Sequence, residues 1–460
     1  MSMLHNTDNL FHDAKLPHLG LATNPVAMAQ VFAENFRPLL AESGWDVEKC
    51  AIEWLQHRRG GRCRLLYRLT LRDLAGRKTD QWFFGKLLRE GKARPMYEEA
   101  LRSAILQNGF WPPVNFWPEL EMVVWTFPND PDMPHLVRAV NTNLIRAQLN
   151  ANLPAWGLSE RWRCEQVEFE RVKYMPGKRC VLRYNARLAD PSGENRRLEF
   201  FSKTYSDGKS RLHHQVLQNI YDRLGRVLNV PRPLKYVEDA NTFWQEPWDG
   251  RPLIDSLDDW NWEELFPRLA ETLAVLHKSR GDGFPPSNTL ERAYEAARED
   301  AQTLEWLLPE YGSRFREALA ALAAAKKILA AQPVPPAPIH GTMRIEQFLV
   351  RDREIALVDF DAAALGDPLY DLAEFVSSLQ YLAFSRGLAA DRLTKAAEFF
   401  QTQYAKQVPW PCEARRVAWY VVVSLLNKMH ETVRSLDSDV VRQLDGILQI
   451  MDRWSADIVA

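Results

Sequence analysis

The feature that most constrains this chain is a repeat. Residues Gly60–Lys92 and Gly177–Lys209 align without a gap at an offset of 117 and match at 13 of 33 positions; ordinary composition would give about two. The matches include Arg62/Arg179, Cys63/Cys180, Tyr67/Tyr184, Phe83/Phe200, Phe84/Phe201 and Lys86/Lys203. Two copies this similar should build the same supersecondary unit twice. In the second copy Cys180, Leu182, Tyr184, Ala186 and Leu188 alternate with the period of a half-buried strand. A polar turn at Asp190–Gly193 leads to a second strand, Leu198–Tyr205. A helix follows, its apolar face Leu212, Val216, Leu217, Ile220 and Leu224 spaced by three and four. Cys63 and Cys180 read as small buried hydrophobes on equivalent strand positions.

Only the second copy continues into further structure. Trp244–Leu253 reads as a strand running into a Gly-Pro turn. From Trp262 the pattern is helical, with Leu265, Leu269, Leu273 and Leu276 on one face and breakers at Gly281, Gly283 and Pro285. Helices are predicted over Leu290–Leu308 and Phe315–Ala331. Four prolines within Ala331–Pro338 then exclude helix. After a β-like stretch at 340–361, helices are predicted over Leu369–Arg386, Arg392–Lys406, Glu413–Val433 and Val440–Ile458. The expected fold class is α+β. Residues 1–150 form an extra N-terminal lobe, 151–253 its duplicate, and 254–460 a mainly helical lobe.

Composition narrows the function. Fifty-eight Lys and Arg against 60 Asp and Glu leave a net charge of −2, which argues against a general nucleic-acid binder. The longest apolar run near the C-terminus, Ala418–Leu426, is far short of a membrane span. The opening MSMLHNTDNLFHD lacks the basic and apolar regions of a secretory signal. Five cysteines without a CxxC or a Cys/His ligand spacing suit a reducing cytoplasm, so the expected location is cytoplasmic.

The chemistry concentrates in His340–Glu374, HGTMRIEQFLVRDREIALVDFDAAALGDPLYDLAEF. Two short strands, Gln347–Val350 and Ile355–Phe360, flank a polar turn, and Asp359, Asp361, Asp367 and Asp371 follow. Carboxylates at a strand end suit a hard cation such as Mg²⁺ held beside phosphate oxygens. Asp367 and Asp371 lie where they would cap the helix starting near Pro368. Elsewhere, Gly60-Gly61 and Pro176-Gly177-Lys178 are turns able to point amides at phosphate, or plain hairpins.

This segment resembles the kinase-like phosphotransferases of the aminoglycoside phosphotransferase and choline kinase type, whose pattern is HGD, four residues, Asn, a later Asp after an apolar strand, then GDPxxDLA. Here it reads His340-Gly341-Thr342, Gln347, Asp359 and Gly366-Asp367-Pro368-Leu-Tyr-Asp371-Leu372-Ala373. Lys203 resembles the strand lysine that holds nucleotide phosphates. Trp248–Leu253 resembles the hinge after the lobe's last strand, and Leu273–His277 the family's LAxLH helix end. The resemblance covers about residues 164–460; in length and layout the chain is similar to the maltokinase-like branch. It implies a bilobal protein-kinase-like fold, ATP and Mg²⁺ as cofactors, Lys203 on the phosphates, Asp359 and Gln347 on the metal, and His340 as a loop-holding residue.

Three departures bear on activity. Thr342 stands at the position of the family's catalytic Asp, and a hydroxyl is no proton acceptor at neutral pH. Gln347 replaces Asn, keeping an amide oxygen. The helix after Lys203 offers His214 and Gln215 but no acid before Asp222, whereas Lys86 of the first copy is followed by Glu98 and Glu99. The resemblance therefore implies a nucleotide-binding pseudokinase with a regulatory or assembly role. The alternative is an active kinase of a sugar or amino alcohol hydroxyl, its base supplied by Glu346 or Asp361. The first lobe, with no helical lobe after it, is read as a cap or a surface for a protein partner.

Overall fold

Long alternating segments in each repeat make long antiparallel ladders. In the computed structural model, which describes residues 13–102, 109–259, 261–435 and 443–459, the first copy forms β1 (Trp45–Arg58), β2 (Arg62–Asp73), β3 (Lys78–Leu88), β4 (Val114–Trp117) and β5 (Met122–Thr126). They pair in the order β1-β2-β3-β5-β4. The second copy forms β6 (Arg163–Met175), β7 (Arg179–Ala189), β8 (Asn195–Tyr205), β9 (Pro233–Val237) and β10 (Thr242–Gln245) in the equivalent order β6-β7-β8-β10-β9. The register repeats as well: Tyr67 faces Phe83 as Tyr184 faces Phe200.

The duplication reaches far beyond the similar sequence. Helix Pro25–Asn35 is capped by Asn24, whose side chain accepts from the amides of Val26 and Ala27. Helix Thr142–Asn150 is capped in the same way by Asn141, through Leu144. The Tyr67 hydroxyl donates to the Ala22 carbonyl (2.7 Å), and the Tyr184 hydroxyl to the Ala139 carbonyl (2.5 Å). Each of these pairs is separated by the same 117 residues.

Both sheets lie in the first of two compact units, which comprises Met1–His214, Leu234–Glu246 and Arg434–Leu436. One core runs under the second sheet, holding Tyr184, Phe200 and Trp244 together with Leu66 and Phe127 of the first copy. Phe200 stacks on Tyr184 at 4.9 Å and tilts on Trp244 at 4.8 Å. Each such ring contributes roughly 1.5–3 kcal/mol through burial. Cys63 and Cys180 are fully buried, as the strand pattern requires. On helix Ser210–Leu224, Val216, Leu217, Ile220 and Leu224 are buried, but Leu212 is 39% exposed and lies outside the apolar face.

The second unit comprises Gln215–Pro233, Pro247–Val433 and Asp437–Ala460. Its helices are Trp262–His277, Thr289–Leu307, Gly312–Ala331, Pro368–Ser385, Ala390–Ala405, Ala414–Arg434 and Leu444–Val459, each within a few residues of its sequence prediction; positions 440–442 of the last prediction lie outside the described residues. Trp244–Leu253 is not one strand. β10 stops at Gln245, and Arg251–Pro252 (β11) pairs instead with Phe348–Arg351 (β13), which pairs with Glu354–Leu357 (β14). Ala337–Ile339 (β12) pairs with Ala364–Gly366 (β15) once the prolines have ended the preceding helix. The α+β class expected from the sequence is the class observed. No helix among the described residues is long and apolar enough to cross a membrane.

Candidate active site

The loop at 340–342 is built around one buried carboxylate. Asp371, fully buried on the first turns of helix Pro368–Ser385, accepts from the backbone amides of His340 (2.5 Å) and Gly341 (2.8 Å). It also lies 3.0 Å from His277 Nε2, while His277 Nδ1 meets the Tyr404 hydroxyl at 2.7 Å. This corrects the sequence expectation for Asp371. The N-cap of that helix is Asp367 alone, which accepts from the Leu369 amide and pairs with Arg416 at 2.7 Å. Asp371 satisfies amides of the loop instead, and nothing in its helical spacing shows which.

Gly341 is required by this packing. Its φ is +80°, and a Cβ there would stand 2.3 Å from the Ala362 carbonyl oxygen. His340 is fully buried and its Nε2 meets the Val358 carbonyl at 2.9 Å. Thr342 Oγ1 stands 3.5 Å from His340 Nδ1. Gln347 is buried just before β13, and its carbonyl accepts from the Val358 amide at 2.9 Å, which brings it beside the strand end carrying Asp359. Asp359 is half-buried, with a left-handed backbone (φ 69°) that turns the chain out of β14. Thr342, His340, Gln347 and Asp359 thus surround one loop and strand end of the second unit. Among the described residues no three His, Cys, Asp or Glu side chains gather as a metal cluster. Glu346 is exposed and Asp361 half-buried.

A cavity of ≈190 Å³ opens beside this loop, lined by Gly341 and Ala362 and by Arg292, Asp300, Tyr370, Glu374, Ser424 and Asn427. Glu374 accepts from the Ser424 hydroxyl at 3.0 Å and lies 3.9 Å from Lys428. Burial holds the Lys428 ammonium below the usual lysine range against the opposing pull of Glu374. Asp300 accepts from Asn427 at 3.1 Å and pairs with His430. Sequence reasoning missed these residues, because they sit on three helices whose patterns show only the core face.

In the first unit, Lys203 lies on β8, buried, opposite Phe243 of β10, and its carbonyl accepts from the Thr242 hydroxyl at 2.9 Å. His214 packs on Tyr236 and Phe243; Asp222, which accepts from Gln218, belongs to the second unit. Lys86 pairs with Asp132 at 2.9 Å rather than with the exposed Glu98 and Glu99. The glycine turns do not offer their amides to a ligand. Gly60 donates to Asp13 (2.6 Å) and Gly177 to Asp130 (2.7 Å), two buried aspartates again 117 residues apart.

Residues 185–405 match the family described as the phosphotransferase enzyme family. No curated protein matches the chain. Among solved structures, an aminoglycoside phosphotransferase, APH(4)-Ia, with ADP and hygromycin B has 15% identity over 64% of this chain and 95% of its own, with a TM-score of 0.43. Choline kinase from Cryptosporidium parvum Iowa II has 12% identity over 69% and 96%, TM-score 0.46. Spectinomycin phosphotransferase, APH(9)-Ia, has 10% identity over 70% and 98%, TM-score 0.45. The family match thus runs from the middle of β7 to the end of helix Ala390–Ala405, a stretch that holds Lys203, the 340–342 loop, Asp359 and Asp371.

Proposed function

We propose that this protein binds a nucleoside triphosphate but transfers its phosphoryl group poorly, acting as a nucleotide-dependent regulatory or assembly component. The observation that carries this reading is Thr342. It occupies the position of the catalytic carboxylate inside a loop whose frame, Asp371 with His340 and Gly341, is fully built. Lys203 takes the phosphates. Asp359 and Gln347, both oxygen donors, would hold Mg²⁺ beside the phosphates. Bound Mg²⁺ neutralises phosphate charge; the proton of an attacking hydroxyl has no acceptor at residue 342, a loss of roughly 10²–10⁴-fold in rate. The maltokinase-like layout belongs to the same reading.

The cavity beside Gly341 favours a second reading, in which the protein is an active kinase of a small polar alcohol with Glu346 or Asp361 as base. A thermal-shift titration with ATP, with and without Mg²⁺, on the wild type and Lys203→Ala tests the first. Saturation at about 100 times Kd adds roughly 2.7 kcal/mol of stability. Mg²⁺-dependent stabilisation lost in Lys203→Ala, without ATP turnover over a panel of sugars and amino alcohols, is the expected result. Rapid turnover with one of them establishes the second reading, and no shift under any condition sinks both.

A further inference from the structure

We propose that the first lobe carries a binding site of its own for a compact polyphosphate group, gripped by guanidinium and ammonium side chains at the β1–β2 turn. An open pocket of ≈500 Å³ lies there, lined by Arg58, Arg59, Gly60, Gly61, Arg62, Leu88, Arg89 and Lys92. Five of these eight residues are cationic and none is acidic. Lys15 adds a sixth cation: its Cδ lies 3.6 Å from where a Cβ of Gly60 would stand. Among the described residues, Arg58, Arg62, Arg89 and Lys92 form no ion pair. The neighbouring acids are otherwise placed. Asp13 is buried beneath the turn against the Gly60 amide and His57, and the Glu121 carboxylate accepts from the Ala93 amide. Glu90 is exposed. The cations also repel one another: burial, Arg64 and Arg58 lower the Arg62 pKa, with only Asp132 opposing.

The duplication supplies an internal control. The second copy builds the same turn on the same buried aspartate and keeps Arg179 and Lys209 for Arg62 and Lys92, with Lys178 at the place of Gly61, yet puts Met175, Pro176, Ser206 and Asp132 where the first has Arg58, Arg59, Arg89 and Lys15. The fold therefore does not need the charges of Arg58, Arg59, Arg89 and Lys15, and like charges crowded at one turn, with Arg58, Arg62, Arg89 and Lys92 in no ion pair among the described residues, destabilise it without a ligand. The ligand class follows from the lining. Guanidinium forks match phosphate oxygens bidentately, and both turn amides are used internally, Gly60 by Asp13 and Gly61 by the Arg58 carbonyl. No aromatic ring lines the pocket to stack a base, and the charge is confined to one turn of a chain with net charge −2. A di- or triphosphate group fits; a nucleic-acid track does not.

The test is calorimetric titration of the full chain with inorganic tripolyphosphate near physiological ionic strength. The variants are Arg58→Gln with Arg89→Gln, both on exposed side chains, and separately Lys203→Met; circular dichroism checks that each is folded. The expected result is one tripolyphosphate per chain, bound at least about tenfold more weakly by the Arg58/Arg89 variant and unchanged by Lys203→Met. Because the two variants separate the lobes, failure here is distinct from failure of the nucleotide reading. The proposal is overturned by no binding, by binding lost only in Lys203→Met, or by a single-stranded oligonucleotide or anionic vesicle that outcompetes tripolyphosphate at the same arginines.

Discussion

The Lys86 ammonium donates to the Asp132 carboxylate across 2.9 Å and lies over the neighbouring rings of Phe84 and Trp125, each 5.2 Å away. Arg64 approaches the same carboxylate at 3.7 Å, and a Cβ on Gly177 would fall 2.7 Å from Asp132 Oδ2. The strand lysine of the first copy is thus spent on a half-buried ion pair that lies against the β6–β7 turn of the second. Its counterpart Lys203 stands in the part of the second copy that the family match covers, from residue 185 on. One duplicated lysine serves packing, and the other is the proposed phosphate ligand.

Removing the carboxylate strands a buried charge. Lys86 is 3% exposed, and burial already holds its ammonium below the usual lysine range against the pull of Asp132. The Asp132 side chain is 37% exposed, so solvent screens part of the pair. Asp132→Ala should destabilise by about 1–3 kcal/mol, and Lys86→Met with Asp132→Ala by less than Asp132→Ala alone, since the buried ammonium is then gone and only the more distant Arg64 has lost this carboxylate. Urea unfolding of the two variants measures both values, and a larger loss in the double variant would contradict the argument.

Much of this fold is legible because a strand repeat shows itself twice over, in residue identity and in alternation. Tyr67 and Tyr184 stand out in the sequence, and their hydroxyls make the same bond. Asp13 and Asp130 do not stand out, because the residues around them differ and only the chain's return to Gly60 and Gly177 reveals their shared task. The 340–342 loop was visible as a motif, and Thr342 as its departure. The frame was not: Asp371 reads as a helix cap, and its true partners lie 30 and 31 residues away. The cavity lining is invisible for the same reason, since Arg292, Glu374 and Asn427 meet only in three dimensions.

The twin aspartates should titrate in opposite senses. Burial raises the Asp13 pKa, but the amides of Gly60 and Lys15 and the His57 ring outweigh it, leaving it below the ordinary 3.8. Its contribution is present above 3.8 and lost as pH falls through the lower folded value. Burial of Asp130 outweighs the Gly177 amide, the Tyr174 hydroxyl and the Asp132 amide and raises its pKa. From 3.8 up to that raised value the unfolded chain releases its proton first, so Asp130 costs stability as pH rises. Asp13→Asn should therefore flatten the loss of stability below pH 3.8, and Asp130→Asn should remove a stabilising trend on acidification above 3.8. Unfolding free energies from urea titrations over the acid limb check this; matching slopes in the two variants would refute it.

Asp371→Ala should be among the most damaging single changes in the second unit. It leaves the His340 and Gly341 amides and His277 Nε2 without their buried acceptor, each costing about 1–3 kcal/mol. A total of roughly 3 kcal/mol or more is expected, together with lost ATP-induced stabilisation. Asp371→Asn keeps one acceptor oxygen and should cost less. Chemical unfolding ranks the two, and equal stability of Asp371→Ala and wild type would remove the loop frame from the account.

Thr342→Asp tests whether chemistry is missing only one group. The hydroxyl stands 3.5 Å from His340 Nδ1, on a loop held by Asp371 and by the close approach of Gly341 to Ala362. A carboxylate there enters a loop whose backbone is already held by these contacts, so the substitution changes proton-accepting capacity more than shape. A half-buried surface position also lets it ionise at neutral pH. If the nucleotide site works and the base is the missing part, Mg²⁺-dependent ATP consumption in Thr342→Asp should rise toward the roughly 10²–10⁴-fold that general-base catalysis supplies. Thr342→Asn, equal in size but unable to take a proton, should stay at the wild-type rate. Equal activity in the Asp and Asn variants would mean that residue 342 is not where transfer is blocked. A fall below wild type in both would instead give the Thr342 hydroxyl a working part in an active kinase, the second reading above.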